Sequence, residues 1–165
     1  MTSGSWSEAA IKEAKKYSKV TECANNTKDK FWTIDDPSTW KIDPEAKYFH
    51  FCDNETIQGF EFQPFPFEVI PKGQLVVADM SSNFCSRPID WQKYDVVYAG
   101  SQKNVGPAGV CITIVRKTLL KNACKKDAPL LCDWPLFDKA ANTFHNTPNC
   151  WSIYMCGLNI DYMIE

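Results

Sequence analysis

The chain has 165 residues, of which 44% are hydrophobic and 23% charged, and its net charge is −2 at pH 7. These values are typical of one globular domain, or of a large piece of one. The lack of a basic excess argues against nucleic acid as a partner, and the strand-sized apolar runs fall far short of the about 20 residues of a membrane-spanning helix, which argues against a membrane partner.

The first predicted element is a helix over residues 9–17, which are rich in helix formers. Ser5 and Glu8 have the spacing of a capping box, in which each side chain bonds the backbone N–H of the other residue. Ala10, Ala14 and Tyr17 fall on one face of this helix, while its lysines point mostly away from that face. We therefore expect this face to be the inward one.

Strand-like segments follow. Residues 48–52 are rich in aromatic side chains, and three continuous apolar runs occupy residues 74–79, 95–100 and 110–116. Runs without polar alternation are typical of strands that are covered on both faces, as in α/β sheets. Two polar or proline-containing segments between the helix and these runs are expected to be irregular, at residues 25–47 and 63–73.

Two further helices are predicted, over residues 117–126 and 150–165, so the architecture is a layered α/β sheet. The chain begins just before a helix cap and ends inside a helical pattern. A complete doubly wound domain rarely does both, so we expect residues 1–165 to be a fragment of a larger domain.

The eight cysteines contain no C-x-x-C pair. Cys52 and Cys111 lie inside apolar runs and are expected to be buried thiols. No ligand spacing around His50 or His145, the two histidines, supports a zinc site. The polar N-terminal residues show no secretory signal, so we expect reduced thiols in a cytoplasmic protein.

Two chemically useful side chains follow neighbouring apolar runs. Asp79 ends one run, and Lys103 lies just past the next, inside the glycine-rich segment 100–109. Ligands of open α/β sheets bind beyond the carboxyl ends of the strands. Pyridoxal phosphate needs a lysine for its aldehyde and a carboxylate for its pyridine nitrogen. Considered singly, Lys103 could be a solvated loop lysine and Asp79 a helix N-cap, so the spacing alone is only suggestive.

The local sequences narrow the interpretation. Several segments, in the same order along nearly the whole chain, resemble the phosphoserine aminotransferases, a family of class V pyridoxal-phosphate enzymes. These segments are residues 4–6, 53–59, 78–84, 86–90, 98–110 and 146–148. The resemblance is specific enough to favour this family over other class V members such as the cysteine desulfurases.

The resemblance implies a fold-type I large domain, α/β in class, with a mostly parallel mixed sheet covered by helices. Residues 1–165 would be the central part of that pyridoxal-phosphate-binding domain, without its N-terminal segment and without the C-terminal small domain. The implied enzyme is a homodimer of serine biosynthesis. It transfers an amino group from phosphoserine to 2-oxoglutarate, giving 3-phosphohydroxypyruvate and glutamate.

The resemblance also assigns roles to individual residues. Lys103 matches the lysine that forms the Schiff base with pyridoxal 5'-phosphate, and Asp79 matches the partner of its pyridine nitrogen. Trp6 matches the aromatic residue that stacks on the cofactor ring. Thr56 matches a hydroxyl near the ring's 3-oxygen, and Gln102 matches a phosphate ligand. Alternatively, Trp6 could be a core residue and Thr56 could satisfy a backbone group at a strand end.

Asn146 and Thr147 match a pair that binds the cofactor phosphate of the neighbouring subunit, although Asn-Thr-Pro is also plain turn chemistry. The chain departs from the family pattern near the site. The family usually has alanine, an aromatic residue, proline and an aliphatic residue where this chain has Ser101, His145, Asn149 and Cys85. None of these departures removes a reactive group. The larger departure is that the family's N-terminal segment and its C-terminal small domain have no counterpart in these 165 residues. A second hypothesis is therefore a truncated or degenerate module that keeps the fold without catalysis.

Overall fold

The computed structural model describes residues 1–121, 129–140 and 144–165. The regular elements of these residues are, in chain order, α1 (Ser5–Ala14), β1 (Tyr48–Cys52), β2 (Asn54–Glu55), β3 (Phe60–Glu61), β4 (Leu75–Asp79), β5 (Val96–Gly100), β6 (Cys111–Val115), α2 (Trp134–Lys139) and α3 (Cys150–Ile164). Short 3₁₀ helices lie at Thr27–Asp29, Pro37–Thr39, Phe67–Val69, Trp91–Lys93, Lys117–Lys121 and Leu130–Cys132.

Four strands form the main sheet in the order β1-β4-β5-β6. The β1–β4 and β4–β5 pairs are parallel, whereas β6 runs antiparallel to β5. All four predicted strand segments are confirmed, and so is the predicted α/β class. The parallel register pairs Cys52 with Asp79, and Asp79 with Tyr98, so three strands end at one edge of the sheet.

An aromatic cluster packs around β1. Phe49 and Phe51 are buried, and the rings of Phe51 and Phe65 stack with centroids 3.8 Å apart. Trp40, from the irregular segment before β1, contacts Phe49 and Phe65. Each buried aromatic side chain contributes about 1.5–3 kcal/mol through removal of apolar surface from water. The two irregular segments are thus fixed by their aromatic side chains although they lack strands.

The prediction that every apolar run is covered on both faces is wrong for β6. Strands β4 and β5 have no exposed residue, but Cys111, Thr113 and Ile114 of β6 are exposed. Cys111 is therefore not a buried thiol, whereas Cys52 is buried as predicted. The reason is position, because β6 ends the strand order of the sheet and pairs only with β5 among the described strands.

Helix α1 begins and ends earlier than predicted, at Ser5 and Ala14. The predicted capping box is wrong, since Gly4 is the N-cap and the hydroxyl of Ser7 accepts from the backbone N–H of Gly4 at 3.0 Å. The prediction for Tyr17 is also wrong, because its side chain is 78% exposed. Ser7 and Ile11 form the buried face of the helix instead.

The C-terminal helix is confirmed as α3. The other predicted helix, over residues 117–126, is a 3₁₀ helix at Lys117–Lys121, and its last five residues lie outside the described part of the chain. In the described ranges, no helix is long and apolar enough to cross a bilayer, and no group of three or more ligand-type side chains could hold a metal ion. Within the part of the chain that the structure describes, the thiols of Cys23, Cys52, Cys85, Cys111, Cys150 and Cys156 are free.

Candidate functional site

At the carboxyl edge of the parallel strands, the loop after Asp79 contacts the loop that carries Lys103. Met80, after β4, donates its backbone N–H to the carbonyl of Tyr98 on β5 at 2.9 Å. The hydroxyl of Ser81 accepts from the backbone N–H of Gly100 at 3.1 Å. The loop that follows Asp79 is therefore bonded to the start of the loop that carries the lysine.

The lysine lies in a tight turn beyond β5. Ser101 is fully buried, and its carbonyl accepts the N–H groups of Val105 and Gly106 at 3.1 and 2.9 Å. Its hydroxyl donates to the carbonyl of Pro107 and closes the turn. Lys103 is exposed at the tip of this turn. The hydroxyl of this serine, which departs from the family pattern, thus adds one bond to the two that the backbone carbonyl makes in the lysine turn.

Helix α3 packs on the same turn. The side-chain amide of Asn159 donates to the carbonyls of Asn104 and Val105, at 2.9 Å each. The hydroxyl of Ser152 donates to the carbonyl of Ala108 at 2.9 Å. The backbone on the C-terminal side of Lys103 is therefore fastened to a long helix rather than left as a free loop.

Two glycines allow this close packing. A Cβ atom at Gly106 would lie 2.7 Å from the sulfur of Cys156, and one at Gly109 would lie 2.6 Å from the amide nitrogen of Asn149. Gly109 also has a φ of +107°, a conformation that L side chains rarely adopt. Asn149, another departure from the family pattern, caps α3 by accepting from the N–H of Ser152 at 3.2 Å.

Asp79 has a local hydrogen-bond partner on each of its carboxylate oxygens. Its Oδ1 accepts from the backbone N–H of Ser81 at 2.9 Å, and the sulfur of Cys52 lies 4.0 Å from its Oδ2. The segment after β4 is a series of turns and not a helix. Asp79 therefore caps a single turn, and the interpretation of Asp79 as a helix N-cap is wrong. None of the ion pairs in the described part of the chain includes Asp79 or Lys103.

The side chains near Asp79 are neutral at pH 7. His50 and Tyr98 stack with ring centroids 6.0 Å apart, and His50 Nε2 lies 2.9 Å from the Tyr98 hydroxyl. Burial, followed by the charge of the Met1 amino group, lowers the pKa of His50 to about 4. Burial and the charge of Asp79 raise the pKa values of Tyr98 and Cys52. These three neighbours therefore bring no compensating charge to the Asp79 carboxylate.

Trp6 and Thr56 meet at the same edge. The indole of Trp6 is 48% exposed, and its Nε1 donates to the hydroxyl of Thr56 at 3.2 Å. The core interpretation of Trp6 is therefore wrong. The Thr56 hydroxyl bonds an indole rather than a backbone group. The pair presents a flat ring and a hydroxyl to solvent beside the strand ends.

The hairpin that carries Thr56, formed by β2 and β3, is held by a network that the sequence did not indicate. Arg87 forms ion pairs with Asp53 and Glu61, and the amide of Asn83 donates to both carboxylates, at 2.6 and 2.7 Å. Burial raises the pKa of Asp53, while the bond from Asn83 and the charge of Arg87 favour its ionised form. The network fastens the hairpin to the loop after β4.

Glu55 is a second residue that sequence reasoning missed. Its buried carboxylate accepts from the backbone N–H groups of Trp6 and Ser7, at 2.9 and 2.8 Å. Trp6 and Ser7 lie 49 and 48 positions from Glu55 in the sequence, so no local pattern could have found this contact.

Asn146 and Thr147 are not brought to this edge by contacts within the described residues. Both are exposed just before α3, where the Asn146 amide donates a long, weak hydrogen bond to the Thr147 carbonyl at 3.5 Å. His145 packs edge-on to Phe137, with centroids 6.0 Å apart. The predicted roles of Gln102, which is exposed beside Lys103, and of Asn146 and Thr147 stay predictions.

Comparison with known proteins gives consistent results. The family model described as Aminotransferase class-V matches residues 2–165. The "Phosphoserine aminotransferase 1, chloroplastic" of Arabidopsis thaliana is 44% identical over 165 residues, which is 100% of this chain and 37% of that protein. The chain thus spans less than half the length of this relative.

Solved structures match the fold as well. The phosphoserine aminotransferase from Bacillus circulans subsp. alkalophilus has a TM-score of 0.91 at 33% identity, covering 99% of this chain and 44% of that one. The PLP-bound phosphoserine aminotransferase from Trichomonas vaginalis has a TM-score of 0.90 at 36% identity, and the match covers 99% of this chain and 45% of that one. The mostly parallel mixed sheet expected from the sequence is thereby confirmed.

Proposed function

Because the chain belongs to the class-V aminotransferase family, whose model matches residues 2–165, we propose that it is the pyridoxal-phosphate-binding part of a phosphoserine aminotransferase. The similarity to proteins of that name extends over the whole chain, at 44% identity to the Arabidopsis relative. This favours an enzyme over a degenerate module that keeps only the fold.

One observation carries the proposal. Among the described residues, this edge of the sheet holds a carboxylate without an ion-pair partner, an exposed lysine and an exposed indole, which are Asp79, Lys103 and Trp6. The neighbours of Asp79 described above are neutral, so its charge is available to a cationic ligand. An ordinary surface would more often pair or disperse such groups.

The chemistry of this donor set fits the cofactor. Bound pyridoxal phosphate supplies an aldehyde for an amine and a ring that accepts electrons when its nitrogen is protonated. Asp79 would hold the proton on that nitrogen, and Lys103 would bind the aldehyde carbon. Trp6 would lie against the ring, Thr56 would donate near its 3-oxygen, and Gln102 would bind the phosphate.

We propose phosphoserine as the amino donor, in line with the names of the relatives. We propose 2-oxoglutarate as the acceptor, in line with the family resemblance of the sequence. We further propose a homodimer in which Asn146 and Thr147 bind the cofactor phosphate of the partner, since both are exposed and lack bonds to the Lys103 turn within the described residues. A cytoplasmic location remains our expectation, and the Arabidopsis relative is named as chloroplastic.

The test is the identity of the reactive lysine in the intact protein. Borohydride reduction of the pyridoxal-phosphate-loaded protein, followed by peptide mass spectrometry, should label Lys103. The Lys103→Ala variant should lose the yellow absorbance and the transamination. The matched control is Lys72→Ala, because Lys72 is an exposed lysine in the turn that precedes β4. Labelling of a different lysine, or full activity of Lys103→Ala, would contradict the proposal.

A further inference from the structure

The first turn of α1 lacks a cap of its own. The first N–H groups of a helix have no partner within the helix, and the N-cap residue, Gly4, has no side chain to supply one. The hydroxyl of Ser7 points backwards and accepts from the N–H groups of Ser3 and Gly4, at 2.8 and 3.0 Å. The N–H groups of Ser5, Trp6 and Ser7 must therefore find partners elsewhere.

The hairpin after β1 supplies those partners. Both oxygens of the Glu55 carboxylate are used, one by the N–H of Trp6 at 2.9 Å and one by the N–H of Ser7 at 2.8 Å. Gln58 accepts from the N–H of Ser5 at 3.1 Å and donates to its hydroxyl at 2.7 Å. A carboxylate at a helix N-terminus gains from charge-assisted bonds and from the helix dipole.

Helix α1 and the hairpin approach each other closely at Gly4 and Glu55. Glu55 has no exposed surface, and a Cβ atom at Gly4 would lie 2.5 Å from its carboxylate carbon. A side chain at position 4 would therefore force the helix and the hairpin apart. The glycine in front of α1 is explained by this approach of Glu55.

Glu55 connects two residues of the proposed site. It is the residue before Thr56 in the sequence, and it holds the backbone of Trp6. The indole of Trp6 in turn donates to the hydroxyl of Thr56 at 3.2 Å. Two bonds to the backbone and one between side chains thus fix the indole and the hydroxyl relative to each other, although the residues lie 50 positions apart.

We propose that Glu55 is a positioning residue, which orients the indole of Trp6 beside Thr56 for contact with the ring of the cofactor. It touches no cofactor itself and acts through Trp6. The inference rests on the proposed function for its ligand, but the arrangement of Trp6 is a property of the protein without cofactor.

The first measurement uses the intact protein freed of cofactor. The near-ultraviolet circular dichroism of Trp6 is defined as the difference between the wild type and Trp6→Phe. We expect Glu55→Ala to remove most of this difference signal while the protein still unfolds cooperatively. Glu8→Ala is the matched control, because Glu8 is an exposed glutamate in the first turn of the same helix and should leave the signal unchanged.

The second measurement is the dissociation constant of pyridoxal phosphate in a double-mutant cycle. Glu55→Ala should weaken binding about tenfold in the wild type, the size of a lost helix cap, and less than about twofold in the Trp6→Phe background. Equal effects in the two backgrounds would overturn the inference, because Glu55 would then act on stability generally. An unchanged Trp6 signal in Glu55→Ala would also overturn it.

The conservative variant Glu55→Gln serves as a second test in case Glu55→Ala does not fold. If Glu55→Ala does not unfold cooperatively, Glu55→Gln replaces it, since glutamine keeps the length and one accepting oxygen. It should lose part of the Trp6 signal, and retention of the full signal would refute the role of the carboxylate. If the wild type binds no pyridoxal phosphate, the proposed function fails, and the dichroism measurement alone decides the inference.

Discussion

Replacement of His50 by glutamine should make the protein more resistant to acid. His50 lies on β1 and its ring stacks on that of Tyr98 on β5. Burial, with the Met1 amino group as the second cause, lowers its pKa to about 4 from the ordinary 6.5. Glutamine keeps an amide that can bond the Tyr98 hydroxyl but does not titrate.

The sign and size of the effect follow from linkage. Above pH 6.5 the histidine is neutral in both the folded and the unfolded chain, and its contribution to stability is complete. Between pH 6.5 and about 4 the unfolded chain binds a proton that the folded chain does not, so the free energy of unfolding falls as the pH falls. Each tenfold change in proton affinity is worth about 1.4 kcal/mol, so the total loss is roughly 3 kcal/mol.

The assay is urea unfolding of the wild type and of His50→Gln at several pH values from 7 down to 4. The wild type should lose roughly 3 kcal/mol more than the variant over this range, because other titrating groups contribute equally to both. The sequence has two histidines, so the proton resonance that disappears in His50→Gln should titrate near pH 4 in the folded wild type. Parallel stability curves, or titration of that resonance above pH 6, would refute the reasoning.

The remaining predictions concern the proposed enzyme. Asp79→Asn should reduce turnover far more than cofactor content, because the ring nitrogen loses its anionic partner while Trp6 and Lys103 stay in place; equal losses in turnover and content would argue against this role. Mixed dimers of Lys103→Ala with Thr147→Ala subunits should regain one intact site. Absence of recovered activity in dimers shown to have formed would contradict binding of the phosphate across the interface.

The sequence predicted the strands, and it predicted that Asp79 and the loop with the lysine follow strands ending at one edge of the sheet, because both depend on local patterns. Apolar runs mark strands, and the ends of parallel strands share an edge. The pattern failed for Cys111, since an apolar run in a strand at the end of the order looks the same as one in a covered strand. An apolar run does not show whether its strand has a neighbouring strand or helix on each side.

The cap of α1 shows a second limit. Ser5 and Glu8 have the capping-box spacing, yet Glu55 and Gln58 bond the helix N–H groups instead. A spacing rule considers only residues within one turn, whereas the actual partner approaches from a hairpin about 50 residues away. Likewise, no pattern within one chain tests the prediction that Asn146 and Thr147 bind the cofactor phosphate of a partner.

The distant cap of α1 also has a consequence for the order of folding. The helix has ten residues, and isolated helices shorter than about 12–15 residues are marginal in water. Its capping carboxylate is 49 positions away from Trp6, so during synthesis the N-terminal segment leaves the ribosome well before Glu55 does. Helix α1 should therefore become stable only after β1 and its hairpin have formed, and the N-terminal residues would be the last of this region to become protected from hydrogen exchange.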